Sequence, residues 1–295
     1  MVTQPRQRDA KGPPERRSRM SEISGKVVII TGGARGIGRQ MAVKVARLGG
    51  RVVVYDVAAE ALKAVVGEIT AAGGEAHGYV CDVSDRQEVY HTAGEVKTRV
   101  GPVDIVINSA GIISGRRLLE IPDERIEAVF GVNALALYWL TKAFLPEMIE
   151  RNSGHIVTVA SAAGLLGVDR QTDYSASKHA AIGFAESLRA ELKRAGHTGV
   201  KTTIVEPFYV DTGMVEGVKS RFPRLLPILK QEEVATRVIR AVLQDEQEVR
   251  IPSMLKLVPV LRVLPVALFD RLAGFLGVHE SMDCFVGRSE AGNER

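Results

Sequence analysis

A β-branched run that leads into a glycine turn constrains the fold of this chain more than any other feature. Residues 26–31 have the sequence KVVIIT, an uninterrupted apolar stretch typical of a strand buried on both faces. The glycine-rich segment 32–38 follows, and residues 39–49 then have the apolar spacing of a helix closed by glycine. Residues 51–56 form a second apolar run that ends in an acid. Strand, glycine turn, helix and strand in this order predict the first part of a dinucleotide-binding α/β sheet.

The glycine turn has a physical role at such a site. Glycine lets the backbone approach a pyrophosphate, and the N-terminus of the next helix offers unpaired N–H groups and a positive dipole end. Asp56 follows the glycines by about 20 residues, where a carboxylate accepts hydrogen bonds from the adenosine ribose. A tight turn without a ligand is the alternative interpretation of the glycines.

A tyrosine and a lysine are spaced to share one face of a helix. Tyr174 and Lys178 are the ends of the segment YSASK, so their side chains are neighbours if the segment is helical. An ammonium beside a phenol favours the phenolate, so we expect Lys178 to lower the pKa of Tyr174 from its usual ~10. The tyrosine would then exchange protons near neutral pH, and the Ser161 hydroxyl could polarise the same carbonyl oxygen. Taken alone the motif is weak, because this spacing also occurs on solvated helices.

The pattern of the whole chain completes the fold prediction. Predicted strands near 26–31, 51–56, 75–80, 103–108, 154–160, 200–205 and 248–251 alternate with helical patterns along the 295 residues. This alternation predicts one α/β domain, a Rossmann-type doubly wound, seven-stranded and mostly parallel sheet with helices on both faces. The 2 cysteines are far apart and the 6 histidines lack ligand spacing. We therefore expect neither a disulfide framework nor a catalytic metal.

With these motifs the chain resembles the short-chain dehydrogenase/reductase family over residues 22–252. The glycine turn matches the family pattern TGxxxGxG from Thr31 to Gly38. Further motifs follow in the family's order: CDV at 81–83, NSAG at 108–111, an asparagine at 133, the serine, tyrosine and lysine above, and the segment 207–212. One departure is Phe208, because the family usually has glycine there.

The resemblance implies a role for each matched residue. The catalytic residues would be Asn133, Ser161, Tyr174 and Lys178. The cofactor-binding residues would be Gly32, Arg35, Gly36, Ile37, Gly38, Asp56, Asp82, Val83, Asn108, Ala110, Gly111, Tyr174, Lys178, Pro207 and Thr212. In the implied reaction Tyr174 exchanges a proton with the substrate oxygen while hydride moves between the substrate carbon and the nicotinamide. Ser161 binds that oxygen, Lys178 holds the ribose hydroxyls, and Asn133 supports a proton-relaying water.

Two residues point to different cofactors. Asp56 would repel a 2′-phosphate and so favours NAD, whereas Arg35 stands where NADP-preferring relatives carry a basic residue. Because the carboxylate both accepts hydrogen bonds from the ribose and repels phosphate, we predict NAD rather than NADP.

An apolar extension, residues 253–295, follows the predicted catalytic domain. Its segment 254–278 is strongly apolar, but Lys256, Arg262, Asp270 and Arg271 interrupt it, and a spanning helix needs about 20 nearly uncharged residues. Three interpretations remain open: packing on its own domain or on a partner subunit, contact with a membrane surface, or a roof over an apolar substrate site. We expect the segment to lie beside a substrate lid at residues 213–230.

The predicted substrate side is apolar as well. Small or apolar residues fill most of segment 162–168, and the lid is rich in leucine and valine, so we place Leu165, Phe208 and Met214 in the pocket. The sequence PFYVDTGM, the lid and the proline-punctuated extension resemble the retinol and hydroxysteroid dehydrogenase branch of the family. That resemblance implies an oxidoreductase acting on a hydrophobic alcohol or ketone, such as a retinoid, a steroid or a lipid-like molecule. An NADPH-dependent ketoacyl or carbonyl reductase and a non-catalytic nucleotide-binding scaffold are the alternatives.

The first 21 residues differ in composition from the rest of the chain. They are basic, contain two prolines and have almost no apolar residues, so we expect a disordered tail that is not a secretory signal. We predict a cytoplasmic enzyme without a nucleic-acid partner, with peripheral membrane contact through 254–278 as an open alternative. The resemblance implies a homodimer or homotetramer, joined through helices near 133–151 and 174–195.

Overall fold

Seven parallel strands form the centre of the molecule. The computed structural model describes residues 22–287, so the predicted tail 1–21 and the chain end 288–295 lie outside the described residues. The strands of the described part are β1 (Val27–Thr31), β2 (Arg51–Asp56), β3 (Ala76–Val80), β4 (Ile105–Asn108), β5 (Gly154–Val159), β6 (Val200–Pro207), β7 (Val210–Asp211), β8 (Leu229–Lys230) and β9 (Glu248–Ile251). Seven of them form one sheet, while β7 and β8 pair separately. The seven-stranded α/β fold predicted from the sequence is confirmed.

The order of the strands creates a crevice at one edge of the sheet. The order is β3-β2-β1-β4-β5-β6-β9, and each neighbouring pair is parallel. Val28 of β1 is in register with Val52 of β2 on one side and with Ile105 of β4 on the other. The winding reverses between β1 and β4, and ligands of open α/β sheets bind beyond the carboxyl ends of the strands at such a point.

Helices cover both faces of the sheet. They are α1 (Gly36–Arg47), α2 (Ala59–Ala71), α3 (Arg86–Arg99), α4 (Asp123–Phe130), α5 (Ala136–Glu150), α6 (Thr172–Arg194), α7 (Gln231–Leu243), α8 (Val258–Leu261) and α9 (Val266–Phe275). Alternate residues of β1 point to opposite faces, as the pleat requires. Val28 and Ile30 join the core under α1, α2 and α7, whereas Val27 and Ile29 join the core under α3 and α5.

One described helical stretch is long and apolar enough to be a candidate membrane span. It runs from Asp123 to Glu150, with a hydropathy of 1.4, but 56% of its apolar window is buried inside the protein. Leu140, Phe144 and Met148 of this stretch pack in the core beneath the sheet. Helices that cover the sheet of an α/β domain are buried in this way, so packing in the core explains the apolar composition of the stretch.

The apolar extension packs over the carboxyl edge of the sheet. We call residues 253–287 the cap, and residues 213–230 remain the lid. Leu255 of the cap is buried against Leu226 of the lid and Ala162, which follows β5. The end of the cap also runs along the lid, because Val286 N donates to the Glu216 carbonyl at 2.9 Å. The cap and the lid together therefore enclose the space beyond the carboxyl ends of the strands.

Candidate active site

The turn after β1 contains positions at which only glycine fits. Gly32 and Gly36 have φ angles of +62° and +58°, in the left-handed region that favours glycine. A Cβ atom on Gly38 would lie 2.2 Å from the carbonyl oxygen of Gly32, so a side chain there would collide with the turn. The result is a bare backbone cradle at the N-terminus of α1, whose free N–H groups suit a pyrophosphate.

Asp56 is held in a fixed orientation beside this cradle. Its Oδ2 accepts a hydrogen bond from Ala34 N at 3.0 Å, and its Oδ1 accepts one from Ala58 N at 3.0 Å. Both carboxylate oxygens retain further lone pairs, and Asp56 lines the main cavity. Arg35 also lines this cavity, but its side chain is exposed. The acid is therefore positioned by the fold, whereas the arginine lies at the solvent boundary.

The opposite wall of the cradle comes from the segment after β4. Thr31 Oγ1 accepts hydrogen bonds from Ser109 N and Ala110 N, both at 3.0 Å, so the ends of β1 and β4 are joined. A Cβ on Gly32 would lie 2.9 Å from the Cα of Ala110, which shows how closely the two segments approach. The predicted cofactor residues that line the cavity are Gly32, Arg35, Gly36, Ile37, Gly38, Asp56, Asp82, Val83, Ala110, Gly111, Tyr174, Lys178, Pro207 and Thr212.

Asn108 is the predicted cofactor residue that does not lie on this wall. It is the last residue of β4 and is 3% exposed, and neither its Nδ2 nor its Oδ1 has a hydrogen-bond partner among the described residues. The strand that carries Asn108 is buried on both faces, so its side chain lies inside the sheet layer rather than in the crevice.

Ser161 and Tyr174 meet at the substrate end of the cavity. Ser161 lies two residues after the end of β5, and Tyr174 lies in the first turn of α6. Ser161 Oγ accepts a hydrogen bond from Ala163 N at 3.1 Å, which leaves its own proton for another acceptor. A hydrogen bond between the Ser161 hydroxyl and the Tyr174 side chain acts to lower the pKa of Tyr174. The two hydroxyls therefore converge where one carbonyl oxygen could contact both.

Lys178 is a buried cation one turn further along α6. Its side chain is 4% exposed, and its Nζ donates to the Val159 carbonyl at 2.9 Å. Burial disfavours the charged form and lowers the pKa of Lys178 to about 8. A lysine with this pKa gains and loses its proton close to physiological pH.

The expectation that Lys178 lowers the pKa of Tyr174 is wrong for this geometry. Burial of the phenol dominates and raises the pKa of Tyr174 to about 12, while the Ser161 hydrogen bond opposes the rise. The Lys178 ammonium lies 5.7 Å from the centre of the Tyr174 ring and is directed to the Val159 carbonyl. The four-residue spacing thus brings the two residues onto one helix face, but desolvation outweighs the effect of the ammonium.

Asn133 lies in a π-helical turn, Gly131–Leu135, between α4 and α5. Such turns are frequent at functional sites because the extra residue moves a side chain out of the helical register. The Asn133 Oδ1 accepts from Ile112 N at 2.9 Å, and its Nδ2 donates to the Ile112 carbonyl and, at 3.0 Å, to Ser177 Oγ. A Cβ on Gly111 would lie 3.4 Å from this Oδ1 and 3.6 Å from Lys178 Nζ. Asn133 Oδ1 and Lys178 Nζ therefore both lie beside Gly111. Asn133 itself is not on the cavity wall.

The Ser161 and Tyr174 hydroxyls lie next to an apolar chamber. The cavity has a volume of about 350 Å³ and continues from the glycine cradle to the cap. The predicted residues Phe208 and Met214 lie on its wall. The prediction of Leu165 is wrong, because the neighbouring Leu166 lies on the wall instead. Leu165 instead presents its carbonyl to Arg262 of the cap, whose Nη1 donates to it at 2.8 Å. The short helical turn at 162–164 rotates the chain between these positions, so spacing from Ser161 alone could not identify the correct leucine.

Three polar residues at the edge of this chamber were not identified from the sequence, and two of them, Gln171 and Tyr209, line the cavity. Gln171, Tyr209 and Ser281 form a hydrogen-bonded series at its edge. The first precedes α6, the second follows β6, and the third lies in the cap, so no local spacing relates them. Across residues 22–287, no group of three or more His, Cys, Asp or Glu side chains is arranged to hold a metal ion.

Similar proteins share this architecture and its motifs. A family model described as short chain dehydrogenase matches residues 26–221. Epidermal retinol dehydrogenase 2 from Mus musculus is 43% identical over 270 residues, which cover 91% of this chain and 87% of the relative. A short chain dehydrogenase/reductase from Burkholderia phymatum, solved in complex with NAD, has a TM-score of 0.75 and 32% identity, covering 83% of this chain and 95% of that chain. A metagenomic short-chain oxidoreductase in complex with NADP has a TM-score of 0.65 and 32% identity, covering 78% of this chain and 98% of that chain.

Proposed function

This chain belongs to the short chain dehydrogenase family, and on that premise we propose that it interconverts a hydrophobic alcohol and its aldehyde or ketone with NAD as cofactor. The coarse activity follows from the family: oxidoreduction of alcohols and carbonyl compounds with a nicotinamide cofactor. We propose the hydrophobic substrate and the choice of NAD beyond that general activity. The observation that carries them is the continuous cavity, which joins a glycine cradle, a fixed carboxylate and two convergent hydroxyls to an apolar chamber.

The residues of the cradle fit a dinucleotide. The N–H groups at the start of α1 are available to the pyrophosphate, and Asp56 stands ready to accept hydrogen bonds from ribose hydroxyls. When bound, a nicotinamide cofactor supplies or accepts the hydride. Thr212, whose methyl and Cβ carbons lie opposite Gly36, would help to fix the nicotinamide end. Because a 2′-phosphate would meet the Asp56 carboxylate, NAD is the better fit.

The proton chemistry belongs to the tyrosine. With a pKa raised to about 12, the Tyr174 phenol keeps its proton at neutral pH and can donate it to a substrate oxygen during reduction. In oxidation the Tyr174 phenol first passes its own proton towards Lys178, and the resulting phenolate then takes the alcohol proton from the substrate oxygen. Ser161 donates a hydrogen bond to that oxygen, and Lys178, with a pKa lowered to about 8, is suited to exchange a proton with Tyr174 through bound hydroxyls or water. Asn133 would hold such a water beside Gly111, close to Lys178.

The walls of the chamber support an apolar substrate. Beyond the catalytic hydroxyls, cap residues Leu255, Val258, Leu261, Leu272 and Leu276 line the cavity together with lid residues Met214, Val215 and Leu226. A sugar or a phosphorylated substrate would need several polar partners on these walls. The relative from Mus musculus is named a retinol dehydrogenase, which favours a retinoid or a molecule of similar size and polarity.

A substrate panel tests the proposal. Retinoids, steroids, long-chain alcohols, short polar alcohols and β-ketoacyl thioesters are each assayed for nicotinamide reduction or oxidation, with the NAD and NADP cofactor pairs in parallel. We expect the highest kcat/KM for a large apolar alcohol or its carbonyl form, with NAD. A preference for short polar substrates would refute the apolar assignment, and a preference for β-ketoacyl thioesters with NADPH would support the reductase alternative.

We also infer that the cap brings the protein into contact with a membrane. Its outer side exposes Val260, Val263, Val266 and Phe275, with exposed fractions between 61% and 86%, and Arg262 lies among them. Apolar residues with basic neighbours suit the interface of an anionic bilayer, from which a lipid-like substrate would enter the chamber. Co-sedimentation with anionic liposomes tests this contact. Val263→Asp together with Val266→Asp should abolish binding, whereas binding that persists would refute it.

Assembly is the remaining proposal. Leu135 and Tyr138 of the π-helical turn and α5 are 47% and 46% exposed, and the Tyr138 ring packs edge-on against Phe184 of α6 at 4.7 Å. An apolar surface of this kind on the two helices supports a homodimer or homotetramer joined through them. Light scattering coupled to size-exclusion chromatography measures the state directly, and a monomer at micromolar concentration would refute the proposal.

A further inference from the structure

A series of hydrogen bonds connects the catalytic helix to the cap. Gln171 Nε2 lies 2.9 Å from the Tyr209 hydroxyl, and the Tyr209 hydroxyl lies 2.9 Å from Ser281 Oγ. Ser281 Oγ in turn donates to the Val278 carbonyl at 2.7 Å. Gln171 also begins α6, because its carbonyl accepts from Ser175 N at 2.7 Å. The series therefore runs from the start of the helix that carries Tyr174 to the last part of the cap.

The direction of each bond is determined by counting protons. Ser281 has one hydroxyl proton, and the Val278 carbonyl can only accept, so that proton is committed. Ser281 Oγ must then accept from Tyr209, which uses the single proton of the phenol. Tyr209 accepts from Gln171, whose amide nitrogen is an obligate donor. Each hydroxyl thus donates once and accepts once, and no member can be lost without leaving a neighbour unpaired.

Because the series is buried, the loss of one of its hydrogen bonds would be strongly destabilising. Gln171 is 1% exposed and Ser281 is 3% exposed, so bulk water does not replace a missing partner. Burial also raises the pKa of Tyr209, which keeps the phenol protonated as the series requires. Tyr209 packs in the same apolar cluster as Tyr174, Met282 of the cap and Met214 of the lid. Displacement of the cap at Ser281 would therefore alter the wall directly beside the catalytic tyrosine.

We propose that Gln171, Tyr209 and Ser281 form a latch that fixes the end of the cap against the active site and so determines specificity for large apolar substrates. Tyr209 is a positioning residue in this account, because its proton is committed to Ser281 and is not available for the reaction. The specificity part rests on the proposed function, since the cap supplies much of the apolar wall. A short alcohol, which needs only Ser161 and Tyr174, is insensitive to the position of the cap.

Tyr209→Phe tests the latch, because it removes one hydroxyl and retains the ring that packs on Phe208 at 4.8 Å. The substitution removes both hydrogen bonds of that hydroxyl, with Gln171 and with Ser281, and their net loss corresponds to at least about a tenfold effect. We expect KM for a long-chain or retinoid alcohol to rise about tenfold, and KM for a short alcohol to change less than twofold. Hydrogen–deuterium exchange of residues 276–287 should accelerate about tenfold. Tyr90→Phe, at a 38% exposed tyrosine on α3, is the matched control and should change none of these quantities.

Ser281→Ala removes the other end of the same bond and supplies a thermodynamic cycle. Because the two changes share the Tyr209–Ser281 bond, the double variant should change KM and the exchange rate by less than the product of the two single effects. Additive effects, equal changes of KM for long and short alcohols, or unchanged exchange of 276–287 in both variants would overturn the latch. Absence of turnover on any alcohol by the unmodified protein would refute the proposed function instead, and the exchange rates would still decide whether the latch exists.

Discussion

Lys178→Met should change how the stability of this protein depends on pH. The substitution replaces a buried ammonium by an apolar side chain of similar length. Burial lowers the pKa of Lys178 from its ordinary value of 10.5 to about 8. At ~1.4 kcal/mol for each pH unit, this difference makes folding with the charged lysine less favourable by ~3 kcal/mol. Burial of a lysine at this position therefore opposes the stability of the fold.

The direction of the pH effect follows from proton binding. Below about pH 8 the lysine is protonated in both the folded and the unfolded protein, so the full destabilisation applies. Between pH 8 and 10.5 the unfolded chain binds more protons, and the stability contributed by Lys178 rises with pH. Other titrating groups, including Cys81, are common to both proteins and cancel when the variant is compared with the unmodified chain. Loss of the hydrogen bond to the Val159 carbonyl lowers the stability of the variant by the same amount at every pH.

Thermal unfolding of both proteins at pH 7 and pH 10 measures the effect. For a domain of this size a change of 1 kcal/mol moves Tm by about 2 °C. The Tm of Lys178→Met minus that of the unmodified protein should therefore be about 5 °C greater at pH 7 than at pH 10. Lys193→Met, an exposed lysine on the same helix, should show the same difference at both pH values. A Lys178→Met difference that is independent of pH, or larger at pH 10, would refute the desolvation argument.

Three further substitutions address the site itself. Tyr174→Phe retains the ring but removes the exchangeable proton, so kcat should fall by about 10²- to 10⁴-fold while NAD titrated by fluorescence binds as before; activity within a few-fold of the unmodified protein would exclude the catalytic role. Asp56→Ala should shift the ratio of kcat/KM for NAD and NADP towards NADP; an unmodified protein that prefers NADPH tenfold would instead assign the choice to Arg35. Gly38→Ala would place a Cβ 2.2 Å from the Gly32 carbonyl, so calorimetry should detect no NAD binding in a variant that still folds, and unchanged affinity would contradict the cradle.

The main features of the fold could be predicted because they depend on local patterns. A β-branched run such as residues 26–31 predicts a buried strand wherever it stands in the chain, and the seven strand patterns of the sequence correspond to the seven strands of the sheet. Gly38 could be assigned to a tight turn because the motif around it is continuous in sequence. Ser161, Tyr174 and Lys178 were also identifiable, because each follows or begins a predicted element at the carboxyl edge of the sheet. Local order and the resemblance to a family were sufficient for these features.

Tertiary structure decided the properties that depend on burial and on contacts between distant segments. The spacing of Tyr174 and Lys178 predicted the wrong direction for the tyrosine pKa, because spacing contains no information about desolvation. The helical turn after Ser161 placed Leu166 rather than Leu165 on the cavity wall. The bond between Tyr209 and Ser281 joins residues 72 positions apart. Sequence alone fixes which elements form, whereas the solvent exposure and the partners of each polar atom exist only after those elements have packed.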